Sequence, residues 1–198
     1  VLLHAENATC LRQSGFEETG TVDRHIVDDS IASEEGNDLH TAFSWRGFRY
    51  VKVRTSGRGI TFNGAREGIY GRWSYVNIGE TAHIEFGGGE EGASEMLTDI
   101  VAMVKRTQRS NLVSGLPTDC PTREKHGWLG DAMATGEEAM LNFNTRTVHG
   151  LFLDTIADAQ AAGAPAVDGF VPVVVPCHQG VDAASNDLSW TSGFVMIA

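Results

Sequence analysis

The sequence is poor in basic residues and contains no long apolar run. Fifteen Lys and Arg residues stand against 26 Asp and Glu residues, so the formal net charge at pH 7 is -11. A chain of this charge repels the phosphates of nucleic acids and the headgroups of anionic membranes. Its apolar runs are all shorter than the roughly 18–20 residues that cross a bilayer. We therefore expect neither a nucleic acid nor a membrane as a partner.

Cysteine is also scarce, and the spacing of cysteines and histidines suggests no metal. Cys10, Cys120 and Cys177 are too few and too scattered for a disulfide framework, and unpaired thiols are favoured over a single bridge. Neither Cys-x-x-Cys nor His-x-x-x-His spacing occurs. Three histidines are expected on loops or on helix surfaces: His126, His149 and His178. We expect no resident metal and no cofactor.

The run from Gly87 to Gly92 matches the dinucleotide-binding pattern G-x-G-x-x-G in form. Glu90 and Glu91, however, lie where a pyrophosphate would bind, and no second β-α unit follows. A flexible hinge between two domains explains these glycines better than a nucleotide site does.

Short runs of alternating polarity up to about residue 86 predict β-strands. These runs are His25–Val27, Phe48–Val53, Trp73–Val76 and His83–Phe86. The acidic stretch between Asp28 and Asp38 has almost no apolar content and is expected to be a solvated loop. We interpret residues 1–90 as part of a β-sandwich.

From about residue 93 the apolar period becomes helical. The first predicted helix has one apolar face and several cations near its C-terminal end, where they suit the helix dipole; the residues are Leu97, Ile100, Val101, Val104, Lys105, Arg106 and Arg109. A second, longer helix is predicted to start at a capping box of Thr135 with Glu138 and to stop at Gly163. Its core stripe comprises Met140, Phe143, Val148, Leu151, Phe152, Thr155, Ile156 and Ala159.

The connection between these two helices, residues 110–134, is polar and rich in charge. It carries three carboxylates, Asp119, Glu124 and Asp131, on a stretch that Pro121 and two glycines bend. If these carboxylates converge on one pocket, they cannot all stay ionised at neutral pH. One should then have a raised pKa and keep the proton that a general acid needs, while the others bind a polyol.

Two further side chains complete this pattern. Trp128 offers a flat apolar face to a sugar ring, and Arg123 can hold a neighbouring carboxylate ionised. On composition alone, a charged loop that a tryptophan anchors to the core is the stronger interpretation. The residue types by themselves leave a carbohydrate site and a structural loop both open.

The order of the residues in this loop carries more information than its composition. Asp119-Cys120-Pro121-Thr122-Arg123-Glu124-Lys125-x-Gly127-Trp128-Leu129-Gly130-Asp131 resembles the signature of bacterial and fungal α-L-rhamnosidases of glycoside hydrolase family 78. Flanking segments also resemble that family, and they are Gly47–Val51, Arg109–Asn111, Asn142–Asn144 and Phe152–Gln160. The likeness covers most of the chain from about residue 40.

This resemblance implies a site and a reaction. Glu124 would be the general acid that protonates the departing glycosidic oxygen. Asp119, Arg123 and Asp131 would bind rhamnose hydroxyls or tune the acid, and Trp128 would help to wall the sugar subsite. The family inverts the anomeric centre and uses as its base a glutamate far downstream, beyond Ala198, so no acid of this chain is assigned that role.

The resemblance also implies the architecture. Residues 1–90 would form the end of a β-sandwich, and residues 91–198 the opening helices of an (α/α)6 toroid. Near the end of the chain, Trp190 resembles a family tryptophan and is expected either to stack on the substrate or to plug the next helix pair.

Such a chain is expected to be a fragment that needs its remaining sequence or a partner chain, with a rhamnose-containing glycoside or polysaccharide as its ligand. The alternative is a non-catalytic carbohydrate-binding or structural component of a larger assembly. The compartment stays open, with an extracellular one slightly favoured.

Overall fold

The computed structural model describes residues 2–5, 21–23, 41, 44–56, 71–89, 92–162, 169–176 and 187–198. Two compact units, Val1–Trp73 and Ser74–Ala198, make up the chain. Within the described ranges, no helix combines the length and the apolar character that crossing a membrane requires. The predicted division into residues 1–90 and 91–198 stays a prediction.

The first unit contains a three-stranded antiparallel sheet. Its strands are β1 (Leu2–Ala5), β2 (Thr21–Asp23) and β3 (Tyr50–Val53), in the order β2-β1-β3. Leu3 pairs with Val22 on one side and with Lys52 on the other. The strand expected at Phe48–Val53 is therefore confirmed over its last four residues. The expected strand His25–Val27 and the acidic stretch 28–38 lie outside the described residues, and the β-sandwich stays a prediction.

The second unit is helical. Its helices are α1 (Ala93–Ser110), α2 (Leu129–Asn142), α3 (Arg146–Ala161), α4 (Leu188–Thr191) and α5 (Gly193–Met196). The first predicted helix is confirmed by α1, which starts after Gly92 and ends on basic Arg109 and Ser110. The short helices α4 and α5 pack against α2. The sequence therefore places the first helix correctly, but the helices that follow differ from the expectation.

The single long helix expected after residue 135 is wrong, because it is two helices. Phe143 adopts an extended conformation and ends α2. A distant segment makes the break: Thr81 N–H donates to the Asn142 carbonyl at 2.9 Å, and Asn144 N–H donates to the Gly79 carbonyl at 2.8 Å. This pairing satisfies backbone groups that a continuous helix would have used internally.

The capping box predicted at Thr135 is wrong as well. Thr135 lies in the middle of α2, where its hydroxyl donates to the carbonyl of Asp131 at 3.0 Å. The helix begins six residues earlier, at Leu129, with Trp128 as its N-cap. Asp131 therefore lies in the first turn of α2 and not on the preceding loop, which shortens the connection to residues 111–128.

The segments Trp73–Val76 and His83–Phe86, expected as strands, are not strands. The stretch around Ile78 packs on the helices instead. Ile78 is buried with Leu112, Phe143 and Val148, and Val76 packs against that cluster. Trp73, Tyr75 and Ile84, by contrast, are exposed.

Two basic side chains near the end of α1 bind the same segment. Lys105 Nζ donates to Glu80 Oε2 at 2.9 Å and to the Ala82 carbonyl at 2.7 Å, and Arg109 Nη2 lies 2.8 Å from Glu80 Oε1. These cations lower the pKa of the Glu80 carboxyl below its usual value, chiefly through the Lys105 hydrogen bond. The Arg109 guanidinium also lies 5.0 Å from the centroid of the Phe143 ring.

The predicted apolar face of α1 is only partly buried. Leu97 and Ile100 are exposed, as are Met96 and Met103, while Val101 and Val104 are half-buried. The residues of α1 that are buried are polar, Lys105 and Gln108. The burial of α1 therefore depends on the ion pairs with Glu80 and the hydrogen bond to the Ala82 carbonyl, and not on its apolar stripe alone.

A second core holds the remaining elements together. It joins α2, α3 and the C-terminal residues through Leu129, Ala132, Phe152, Ile156, Val175 and Ile197. In the predicted core stripe Phe143, Val148, Phe152 and Ile156 are buried, but Met140 and Leu151 are exposed. His149, expected on a loop or surface, is also buried, and this burial lowers its pKa. This core carries the N-terminal turn of α2.

Replacement of Glu80 by Gln should loosen the segment around Ile78 and the end of α1. The variant leaves the buried Lys105 ammonium without its carboxylate. Because Glu80 is partly exposed, we expect a loss of only about 1 kcal/mol, or roughly fivefold faster amide exchange in both segments. Hydrogen–deuterium exchange measures this. Glu85→Gln, which removes an exposed carboxylate nearby, is the control; equal exchange in the two variants would contradict the role of Glu80.

Candidate active site

The loop at residues 111–128, which we call the acidic loop after its carboxylates Asp119 and Glu124, connects α1 to α2. Its first part closes on itself, because the Asn111 carbonyl accepts hydrogen bonds from the Thr118 amide at 2.9 Å and from the Thr118 hydroxyl at 3.0 Å. Leu112 is fully buried at the start of this turn. The loop is therefore anchored before the carboxylates begin.

Asp119 closes the second part of the loop. Its Oδ1 accepts a hydrogen bond from the His126 amide at 2.9 Å, and its own amide donates to the His126 carbonyl at 3.1 Å. Lys125, with φ of 61°, makes the turn in the left-handed region. The reciprocal bonds tie residues 120–125 into a compact arch that carries Arg123 and Glu124. Asp119 thus has a structural role in closing the loop, and its expected contact with rhamnose stays a prediction.

The chain beyond the arch is clamped to a second segment. Val175 N–H donates to the Gly127 carbonyl at 2.8 Å, Leu129 N–H donates to the Val173 carbonyl at 2.9 Å, and Trp128 pairs with Val174 as an antiparallel bridge. A Cβ at position 127 would lie 2.0 Å from the Val175 carbonyl oxygen. Only glycine allows this approach, which fixes the direction in which Trp128 leaves the backbone.

Glu124 is held from two sides. Trp128 Nε1 donates to Oε2 of Glu124 at 3.0 Å, and Arg123 Nη2 lies 2.8 Å from Oε1. The Glu124 side chain is 31% exposed, whereas that of Arg123 is 78% exposed. One contact is therefore made by a ring with a fixed backbone, and the other by a side chain in solvent. The expectation that Arg123 faces a neighbouring carboxylate agrees with this pair.

Trp190 reaches the site from α4. Its ring meets that of Trp128 edge to face, with 5.1 Å between the centroids and an interplanar angle of 77°. It also covers Gly130, where a Cβ would lie 2.5 Å from the indole Cδ2. The structure thus brings Trp190 to the predicted site across a long sequence separation. Contact with the substrate stays a prediction.

Asp131 is the carboxyl of this group whose pKa is raised. Burial is the largest cause, the charge of Asp119 comes next, and the charge of Glu124 adds to both. The charges of Asp119 and Glu124 therefore act on Asp131. The expected convergence of all three on one sugar pocket stays a prediction. The residue types left open which carboxyl would have the raised pKa, and the structure assigns this property to Asp131. The role of general acid, which the family resemblance implies for Glu124, stays a prediction.

Other features lie away from this group. Two cavities, of about 300 and 640 Å3, lie along α1, and neither is lined by a residue of the acidic loop. In the described part of the chain, His, Cys, Asp and Glu residues form no cluster of three suited to a metal. Cys120 is half-buried with a free thiol, while Cys10 and Cys177 fall outside that part.

The comparisons with known proteins assign the chain to a family. The family model described as the bacterial alpha-L-rhamnosidase 6 hairpin glycosidase domain matches residues 89–198. The chain belongs to this family. The resemblance read from the acidic loop is therefore confirmed, as is the helical toroid as the fold of the second half. The β-sandwich has no such support.

Curated relatives of this rhamnosidase-family chain include two proteins named alpha-L-rhamnosidase from Formosa agariphila. One is 29% identical over 154 residues, which are 76% of this chain and 15% of the relative. The other is 32% identical over 114 residues, 58% of this chain and 11% of the relative. A solved structure, an alpha-L-rhamnosidase from Dictyoglumus thermophilum, is 28% identical with a TM-score of 0.58 and is matched over 77% of this chain and 15% of its own length.

The chain therefore spans only 11–15% of the length of these relatives. The sequence did not predict two features of the site. They are the backbone hydrogen bonds to Val173–Val175 and the packing of Trp190 on Gly130. The signal for both was present, since Gly127 and Gly130 flank Trp128 in the motif. Their meaning requires the partner segments, which the motif does not contain.

Asp131→Asn should increase local stability, and the gain should grow with pH. Because the folded pKa of Asp131 is raised above its usual value of 3.8, the folded state binds the proton more tightly, and its stability falls as the pH rises through that window. The neutral amide avoids this loss. Between about pH 4 and about pH 7, protection of the α2 amides, corrected for intrinsic exchange, should increasingly favour the variant. Asp154→Asn, on an exposed site of α3, is the reference; a gain that does not depend on pH would contradict this account.

Gly130→Ala should displace Trp190. The new Cβ would overlap the indole, at a cost of about 1–3 kcal/mol if neighbouring groups shift only partly. Amide exchange in residues 188–191 should accelerate at least tenfold, and tryptophan fluorescence should change. Gly150→Ala, in α3 where a Cβ meets nothing within 4 Å, should instead leave both signals unchanged. Equal behaviour of the two variants would show that Trp190 does not depend on Gly130.

Proposed function

We propose that this chain supplies the acid-bearing part of the active site of an α-L-rhamnosidase, which hydrolyses terminal α-L-rhamnosides with inversion. The observation that carries the proposal is the group formed by Asp119, Glu124 and Asp131 beside Trp128, in which the pKa of Asp131 is raised by burial and by the other two charges. Carboxyls that share a site divide into proton donors and acceptors, and glycoside hydrolysis needs both.

Glu124 is the general acid in this proposal. A general acid must reach the leaving oxygen and must not be buried beneath other groups. Glu124 meets the requirement, because its side chain is partly exposed and the group that covers Oε1 is the exposed Arg123. An ion pair in solvent contributes little stability, so a glycoside can displace Arg123 from that oxygen. Once Arg123 has left, Glu124 takes up a proton from solvent and passes it to the glycosidic oxygen as the bond to the sugar breaks.

The surrounding residues would bind the rhamnose ring. Asp131, which retains its proton more readily than an ordinary aspartate, can donate to one hydroxyl and accept from another. Asp119 and Arg123 offer further polar contacts at the edge of the arch. Trp128 and Trp190 together present aromatic surface, which suits the apolar face of a sugar.

Inversion requires a second carboxyl that activates water, at about 6.5–9.5 Å from the acid. We assign that base to a residue beyond Ala198 and not to a local carboxylate. In the same proposal residues 1–90 belong to a β-sandwich and residues 91–198 to the N-terminal part of the barrel. Further helices, from the same polypeptide or from a partner chain, would complete the wall of the substrate cleft.

Glu124→Gln in the full-length protein should strongly lower the turnover of α-L-rhamnosides whose leaving group needs a proton. The amide cannot release a proton, and the loss of general-acid catalysis should lower kcat by about 10²–10⁴-fold. Affinity for rhamnose, measured by calorimetry, should change little because the rest of the site remains. Glu137→Gln, an exposed position on α2, should behave as the wild type. Unchanged turnover in Glu124→Gln would remove Glu124 from the mechanism, and rhamnose binding without turnover in the wild type would favour a carbohydrate-binding component.

A further inference from the structure

The contact between Trp128 and Glu124 is one that a sugar-stacking tryptophan does not require. The indole N–H donates to Oε2 of Glu124 at 3.0 Å, so the polar edge of the ring binds the carboxyl. An indole N–H can only donate and has no lone pair to accept a proton or a hydrogen bond in return. The oxygen that it contacts must therefore stay an acceptor.

The position of this donor is fixed by packing and not by Glu124. The Gly127 carbonyl accepts a hydrogen bond from the Val175 amide, and the Leu129 amide donates to the Val173 carbonyl, so the backbone is held on both sides of Trp128. The ring of Trp190 then meets that of Trp128 edge to face at 5.1 Å. A donor held in this way loses little entropy when it binds and keeps its direction as the acid changes its protonation state.

The two oxygens of Glu124 are therefore unequal. Oε2 faces a fixed donor, whereas Oε1 faces the guanidinium of Arg123, whose side chain is 78% exposed. Exposed ion pairs exchange readily with solvent or ligand. When Glu124 is protonated, a proton on Oε1 leaves Oε2 as the carbonyl oxygen that accepts from Trp128, whereas a proton on Oε2 would leave the indole N–H only a hydroxyl oxygen, which is a weaker acceptor.

We propose that Trp128 is a positioning residue, which through its indole N–H selects Oε1 of Glu124 as the oxygen that delivers the proton to the leaving group. This inference rests on the proposed rhamnosidase activity with Glu124 as general acid, and it adds a role for Trp128 that is separate from contact with the sugar. Arg123 is then the group that leaves Oε1 when the glycosidic oxygen arrives.

The role has a specific kinetic consequence. A misplaced acid slows the departure of a poor leaving group, which needs its proton, far more than that of a nitrophenolate, which does not. A lost sugar contact slows both substrates alike, because both carry the same rhamnose. The ratio of kcat for the two substrates therefore separates positioning of the acid from binding of the ring.

The test uses the full-length protein with 4-nitrophenyl α-L-rhamnoside and methyl α-L-rhamnoside. Trp128→Phe keeps an aromatic ring but removes the N–H. We expect kcat for the methyl glycoside to fall by about tenfold or more, as for a lost bond to a charged group, and kcat for the nitrophenyl glycoside by less than about threefold. Trp73→Phe, an exposed tryptophan in the first unit, should leave both values unchanged. Gly130→Ala, which keeps the N–H but displaces Trp190, should move the ratio in the same direction by less.

Glu124→Gln, assayed on the same two substrates, separates the possible failures. If Glu124→Gln selectively loses the methyl glycoside while Trp128→Phe slows both substrates equally or neither, the positioning role is overturned and the rhamnosidase proposal stands. If Glu124→Gln hydrolyses both substrates at the wild-type rate, the proposed function itself fails. If circular dichroism shows that Trp128→Phe does not fold, the ratio measured for Gly130→Ala decides, and an unchanged ratio there overturns the role.

Discussion

The site depends on one backbone interaction, the pairing of residues 127–129 with Val173–Val175. Two hydrogen bonds of 2.8 and 2.9 Å form this pairing. It is possible only because Gly127 has no Cβ, which would overlap the Val175 carbonyl. It starts α2 at Leu129 and points the Trp128 ring towards Glu124 and Trp190. A rigid backbone contact thus sets the direction of side chains that the acidic loop alone would leave mobile.

The charges of Asp119 and Glu124 act on Asp131, and each of the three carboxyls has different surroundings. Asp119 accepts a hydrogen bond from the backbone of His126, and Glu124 accepts from Trp128 and pairs with Arg123. The pKa of Asp131 is raised, because burial outweighs the backbone hydrogen bond that lowers it. Because their surroundings differ, these chemically similar carboxyls can take different roles in acid–base chemistry.

The segment around Glu80 shows how the helical unit is shaped from outside its own helices. Its backbone pairs with residues 142–144 and ends α2, while Glu80 binds Lys105 and Arg109 at the end of α1. Arg109 in turn lies over the ring of Phe143. One extended stretch therefore fixes both the length of a helix and the orientation of its neighbour, and the acidic loop is held between the two.

A contiguous motif and a local period in the sequence were sufficient to predict the family, the place of the acidic loop after α1 and the helix α1. The end of α2 at Phe143, the absence of strands at Trp73–Val76 and His83–Phe86, and the raised pKa of Asp131 follow instead from the tertiary structure. Each of these depends on groups far apart in the chain. Backbone pairing, burial and charge act through distance in space, to which neither periodicity nor a motif refers.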